Sequence, residues 1–146
     1  QIARLSLVED SEGPGRFRGG LGLRKDFQVL QPTTFTILAD RDRQGPWGAL
    51  GGRDARVAEY VLIRDGVESH LGSKSTTDLL TGDIVSVRSC GGGGYGPPEE
   101  RDPERVLRDV LEGKVSAERA REEYRVVIDD RRLDESATNE LRRGTG

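Results

Sequence analysis

Glycine and arginine concentrate in two stretches of this chain. Residues 11–22 hold five glycines together with Arg16 and Arg18, and residues 41–52 repeat the mixture around Arg41 and the single tryptophan, Trp47. Glycine lets a ligand or another chain approach the backbone closely, and a guanidinium binds carboxylate or phosphate through two parallel hydrogen bonds. Arg16, Arg18, Gly19, Gly20 and Arg41 are therefore candidates for a small-molecule site or an interface. The same loops also suit tight turns whose arginines pair surface acids, and the sequence leaves both readings open. A polar turn, Gly72-Ser73-Lys74-Ser75, and a glycine run ahead of Tyr95-Gly96 add Ser73, Lys74, Gly91, Gly92, Gly93 and Gly94 to the candidates.

Familiar catalytic and nucleotide-binding patterns fail on inspection. The run from Gly91 to Gly96 satisfies the spacing of a dinucleotide fingerprint and follows a strand. That fingerprint needs a helix to begin inside it and face the pyrophosphate, whereas Pro97-Pro98 follow here. Gly72-Ser73-Lys74-Ser75 lacks the upstream glycine of a phosphate loop. His70 is the only histidine, so a histidine-based metal site cannot be closed within this chain, and a serine triad would have to use His70, with no elbow motif near any serine. His70 is expected on the surface between two strands. Cys90 has no basic neighbour in sequence and reads as a small buried residue at a strand end. Trp47, between proline and glycine, is expected to anchor its loop. The carboxylates of the C-terminal third are expected on solvated helix faces.

The elements that must position these residues are mainly strands. Ala3, Leu5 and Leu7 alternate with polar residues; Leu21, Leu23, Phe27 and Val29 repeat the pattern, and so do Phe35, Ile37 and Ala39. Val61 and Ile63 predict a fourth strand, closed by the hairpin signal Asp65-Gly66. The residues from Ile84 to Val87 predict a fifth after the turn Thr81-Gly82-Asp83. Beyond Gly96 the character changes. Asp102-Pro103 predicts a helix start, with Val106, Leu107, Val110 and Leu111 on its apolar stripe and Gly113 at its end. Ser116 caps a second helix carrying Ala117, Ala120 and Tyr124. A short strand is expected from Val126 to Ile128, then a last helix over Leu133, Ala137 and Leu141 before a fraying Gly144-Thr145-Gly146 tail. The expected fold is α+β: a mainly antiparallel β body over residues 1–96 and a small helical appendix over 97–146.

Composition bounds the function. Hydrophobic residues make up 33% and charged residues 34% of 146 positions, with a net charge of −3 from interspersed acids and bases. Nucleic-acid binding calls for a clustered basic field, which is lacking, and no apolar run is long enough to span a bilayer. A secretory signal pattern is absent, and one cysteine suits a reducing compartment, so cytoplasm is the expected location. The low apolar content, the opening at Gln1 and the lack of any methionine lead to the expectation of a fragment of a longer polypeptide.

The ordered set of segments resembles the C-terminal part of the hydantoinase B/5-oxoprolinase family. The segments are Asp10-Ser11 through Gly22, Arg41 through Gly52 with Pro46-Trp47-Gly48, Ser73-Lys74, Leu80-Thr81-Gly82-Asp83 and Gly91 through Gly96. Asp102-Pro103-Glu104 and Val115-Ser116-Ala117-Glu118-Arg119-Ala120 complete the order. The resemblance implies ATP-dependent opening of a cyclic amide such as a hydantoin or 5-oxoproline, or ATP-dependent carboxylation of a ketone in the acetone carboxylase α-type branch. It implies a hydantoinase A-type partner subunit or domain that handles ATP, so ATP is bound outside this segment. It also implies metal ligands, where the family has them, in a missing upstream part. The fragment alone is expected to be inactive, its loops completing a site or an interface with the remainder of its own chain. The competing expectation is a non-catalytic scaffold whose glycine loops serve subunit assembly.

Overall fold

The computed structural model describes residues 1–144; Thr145 and Gly146 of the expected fraying tail lie outside them. The β body contains β1 (Ile2–Leu7), β2 (Leu23–Gln28), β3 (Thr33–Leu38), β4 (Glu59–Arg64), β5 (Val67–His70), β6 (Lys74–Leu79) and β7 (Ile84–Arg88). Five of these form one sheet in the order β1-β2-β7-β4-β5, and β3 pairs with β6 in a separate two-stranded sheet. Every pairing is antiparallel, and the fold is α+β as expected.

Inner strand β4 is the most buried: Tyr60, Val61 and Leu62 are all enclosed, with β7 and β5 flanking it and β3–β6 covering the side of Tyr60 and Leu62. Its hairpin to β5 turns through Asp65 and Gly66, with φ of 52° and 78°. That positive-φ pair is the twist-matched turn that Asp-Gly favours. β3–β6 lies over the β4–β7 half of the large sheet. One cluster joins Val29, Leu62, Leu79 and Val85, a second joins Ile37, Ala58 and Tyr60, and Phe35 touches both.

β6 departs from expectation. The polar turn placed at 72–75 ends at Ser73, and Lys74 already pairs with Leu38. The strand reads Lys-Ser-Thr-Thr-Asp-Leu and buries only Leu79 fully. Its ladder with β3 is reinforced by Thr34 Oγ1 donating to Asp78 and by a Thr36–Thr76 hydroxyl bond. His70 lies within β5 rather than between strands, exposed and opposite Val61.

The C-terminal part begins with a 3-10 turn at Pro98–Glu100 and continues with α1 (Pro103–Leu111) and α2 (Ala117–Tyr124). A short hairpin of β8 (Ile128–Asp129) and β9 (Arg132–Leu133) follows, then α3 (Glu135–Arg143). Each helix has a side-chain cap: Asp102 accepts from the Glu104 N–H, Ser116 from Arg119 and Asp134 from Ala137. Such caps contribute about 1 kcal/mol each. The strand expected from Val126 shifts to Ile128, since Val126 is wholly buried in a separate core with Val106, Val115, Ala120 and Tyr124. Leu133 belongs to β9, and the last helix starts only after Asp134.

Candidate functional site: a glycine lattice and its arginine clamps

The run from Gly91 to Gly96 leaves β7 and passes between the two glycine–arginine loops. On one side the Gly13 N–H donates to Gly92 O, the Gly92 N–H to Gly20 O, and Phe17 and Tyr95 exchange backbone bonds of 3.0 and 2.9 Å. On the other side the Ala49 N–H donates to Gly94 O, Gly94 to Arg53 O and Gly96 to Ala49 O. Backbone packs directly on backbone here. A Cβ on Gly19 would collide with the Gly92 carbonyl, and one on Gly93 with the Trp47 carbonyl. Only glycine permits this approach. Gly91 and Gly94 meet the carbonyls of Ser11 and Pro14 in the same way, whereas Gly20 faces open space.

Residues 11–15 are buried beneath this lattice, and Glu12 among them is fully enclosed. Its Oε1 accepts from Arg119 Nε and from the Tyr124 hydroxyl, both at 3.0 Å. Its Oε2 has no partner among the described residues. Burial pushes the Glu12 carboxyl above its ordinary value, against the opposing pull of Arg119, and pushes the Tyr124 phenol up as well. A second clamp lies alongside. Arg18 grips Asp109 through Nε and Nη2, both at 2.9 Å, and Arg101 Nη2 reaches the same carboxylate at 2.9 Å. The hydrogen bonds from Arg18 to Asp109 raise the guanidinium's proton affinity further. Asp10 adds a third tie, accepting from the Ser116 N–H at 2.7 Å. The first loop is thereby fastened to α1 and α2.

The structure divides the sequence-derived candidates into two groups. Arg16, Arg18, Gly19, Gly20 and Gly91 to Gly94 meet in the lattice. Arg16 is half-exposed beside Glu100 at 3.6 Å, with its guanidinium 5.7 Å from the Phe17 ring. Arg41, Ser73 and Lys74 sit at the open end of β3–β6. The Ser73 carbonyl accepts from the Ala39 N–H, and Lys74 lies 3.8 Å from Asp40 with both side chains exposed. A polar depression of about 430 Å³ opens there, lined by Asp40, Asp42, Arg43, Gly72, Ser73 and Lys74. Arg41 stacks 5.2 Å from the Trp47 ring centroid. Trp47 is 67% exposed, so the indole does not anchor its loop by burial as expected; what packs closely is its backbone carbonyl, against Gly93.

Sequence reading missed Glu12, Arg101, Asp109, Arg119 and Tyr124 as one polar assembly. Asp109 carried a usable signal: it falls three residues after Val106 and one before Val110, on the apolar stripe of α1. It is buried and not on a solvated face. Cys90 is half-buried just beyond β7.

Two chemistries can be tested against this arrangement. Phosphate binding by the glycine run needs free N–H groups, yet those of Gly92, Gly94, Tyr95 and Gly96 all donate to carbonyls of the chain. With most of its N–H groups engaged, the run is poorly suited to cradle a nucleotide phosphate. Among the described residues, His, Cys, Asp and Glu form no group of three or more arranged to hold a metal ion. No described helix is long and apolar enough to cross a membrane.

Comparison with known proteins places this geometry. The family model described as hydantoinase B/oxoprolinase matches residues 1–98. The beta chain of the caprolactamase of Pseudomonas jessenii is 39% identical over 145 residues, covering 94% of this chain and 25% of that protein. The crystal structure of the ATP-dependent caprolactamase from Pseudomonas jessenii superposes with a TM-score of 0.82 at 34% identity, over 97% of this chain and 26% of that one. The nucleotide-free structure of acetone carboxylase has the same fold over 98% of this chain and 24% of its own, with a TM-score of 0.82 at 21% identity. This chain spans about a quarter of the length of these relatives.

Proposed function

We infer the function from the family: the chain belongs to the hydantoinase B/oxoprolinase family, whose model covers residues 1–98. On this reading it is the C-terminal segment of an ATP-dependent hydrolase that opens a cyclic amide, such as a hydantoin, a lactam or 5-oxoproline. The observation that carries the reading is the superposition of 97% of the chain on the ATP-dependent caprolactamase. The enzyme works with a hydantoinase A-type subunit or domain and with the remainder of its own chain, in the cytoplasm. ATP binds outside this segment, which agrees with the engaged N–H groups of the glycine run. Any metal is held outside it too.

Within that enzyme the segment contributes loops to a site or a subunit interface. The lattice group, with Arg16, Arg18, Gly19, Gly20 and Gly91 to Gly94, gives the loops their shape. Arg41, Ser73 and Lys74 are the groups left to meet something else, since Arg41 and Lys74 hold no buried partner. The full-length subunit, assembled with its A-type partner, should open a cyclic amide only when ATP is present. Arg41→Ala and Lys74→Ala should each lower turnover about ten-fold while leaving the thermal transition of the subunit in place. Wild-type kinetics in both variants would sink the loop assignment, and ring opening without ATP would sink the reaction class.

One observation favours a second reading. The lattice closes its hydrogen bonds internally and is bolted to the helices by Glu12–Arg119 and Arg18–Asp109, as an assembly scaffold would be. Under that reading Arg41→Ala and Lys74→Ala weaken co-purification with the partner and leave the turnover of assembled enzyme intact. The ketone carboxylase alternative shares the fold alone, and bicarbonate-dependent use of a ketone by the assembled enzyme would select it.

A further inference from the structure

We propose that the β1–β2 half of the large sheet is a docking face for another segment of the same subunit, lying outside these 146 residues; this rests on the reading of the chain as part of a family-length subunit. The register defines the face. Val85 and Val87 of β7 pack against residues of β3–β6. They pair with Phe27 and Lys25 of β2; Lys25 pairs with Leu5, Leu23 with Leu7, and Ile2 with Phe27. Directly opposed residues in an antiparallel ladder point to the same side. Ile2, Leu5, Leu7, Leu23 and Phe27 therefore continue the face that β3–β6 covers farther along, with Lys25 among them, its ammonium 5.3 Å from the Phe27 ring centroid.

A β-bulge makes this so. The register shifts between Ile2 and Arg4, which returns Ile2 to the apolar side while Arg4 faces the other way opposite Asp26. Nothing among the described residues covers the result: Ile2 is 53% exposed, Leu5 64%, Leu7 51% and Leu23 51%. The strip runs into an apolar groove of about 480 Å³ lined by Phe27, Val29, Leu30, Phe35, Leu79 and Val85. Exposed apolar side chains gathered on one face beside such a groove mark an interaction site, whereas scattered leucines do not, and the lysine stem can lie along the same surface. The reverse face of the same strands pairs its own charges, Arg24 with Asp26 and Arg88 with Glu59. It has no comparable need of cover.

The length of the relatives identifies the occupant. This chain matches 26% of the caprolactamase chain, so three quarters of such a subunit lies elsewhere. A two-stranded sheet over a five-stranded one is half a sandwich, and the missing layer must be apolar on the side that meets Leu5 and Leu23. The segment is thus an apolar-faced strand or helix of the same subunit, laid beside β3–β6.

The test introduces a single cysteine at Leu5 or Leu23 in a Cys90→Ser background. It compares thiol labelling of the native 146-residue chain with that of the subunit made at the full length encoded by its gene. Both positions are exposed, so a cysteine there removes no buried packing, and circular dichroism first confirms that each protein is folded. Labelling should be fast in the 146-residue chain and about a hundred-fold slower in the longer subunit. Equal rates in the two proteins overturn the proposal, and so does a gene that encodes no further segment. Slow labelling in a 146-residue chain that light scattering finds dimeric, with Leu5→Asp yielding fast-labelling monomer, overturns it in favour of a second copy as the occupant. The readout does not depend on catalysis: slow labelling in a subunit inactive toward cyclic amides would leave this proposal standing and the proposed reaction fallen.

Discussion

Two carboxylates in this chain are held in opposite senses, and the difference predicts the shape of its stability profile. Asp83 accepts two hydrogen bonds from Arg64, at 2.9 and 2.6 Å, and one from the Leu80 N–H. These bonds favour the charged form and lower its pKa from 3.8 to about 2. Its contribution is complete above the unfolded value and is lost as pH falls from 3.8 through about 2. Glu12 runs the other way. Burial raises its pKa above 4.5, so the native state holds that proton more tightly than the unfolded chain. The stability linked to it is complete below 4.5 and is lost as pH rises through the raised folded value. Chemical denaturation across pH should therefore lose stability on both limbs. Glu12→Gln removes the decline above 4.5 and leaves the acid limb; Asp83→Asn shrinks the acid limb, to which Asp26 and Glu59 also contribute, and leaves the upper one. An upper limb unchanged in Glu12→Gln would refute the assignment.

Among the elements, the glycine run is the one whose role changed most between sequence and structure. Composition marks it as special but does not say what approaches the glycines. What approaches is the chain's own backbone, from loops some 40 to 80 positions away in sequence. The consequence is position-specific. Gly93→Ala drives a methyl into the Trp47 carbonyl, while Gly20→Ala meets nothing within 4 Å. Gly93→Ala should cost about 2 kcal/mol or more, as overpacking of rigid surroundings does, and Gly20→Ala about 0.5 kcal/mol or less. Thermal melts of the two variants decide the matter, and equal stabilities would mean the lattice is loose. The strands show why legibility was uneven. β1, β2, β3, β4 and β7 carry apolar residues at a period of two, which sequence displays directly. β6 carries Ser, Thr and Asp, and its identity as a strand comes from pairing with β3, a tertiary fact. Of the candidate site, the loops were legible from their residue types. Their partners were not, because Arg18 and Asp109 stand 91 positions apart and Glu12 and Arg119 stand 107 apart.

At the scale of the molecule, two apolar cores are joined mainly by polar ties. Val106, Val115, Ala120, Tyr124 and Val126 form one core, and the clusters around Leu62 and Tyr60 form the other two-layered body. Between them stand the buried carboxylates of Glu12 and Asp109 and the arginines that hold them. Such a junction behaves differently from a shared hydrophobic core. Removing one member of a buried charge cluster strands the others, at a cost of about 3–5 kcal/mol. Asp109→Ala would leave Arg18 and Arg101, 17% and 10% exposed, with like charges facing across the vacated position. The loss falls on the junction and not on either core, so the variant should open by parts. Native-state hydrogen exchange should find the amides of α1 and α2 exchanging through a new sub-global opening, while those of β4 and β7 keep their wild-type protection. A uniform loss of protection across both regions would mean that the chain folds as one cooperative unit and that the arginine clamps are not where its two parts are joined. Unchanged protection everywhere would mean that Asp109 contributes nothing to the junction.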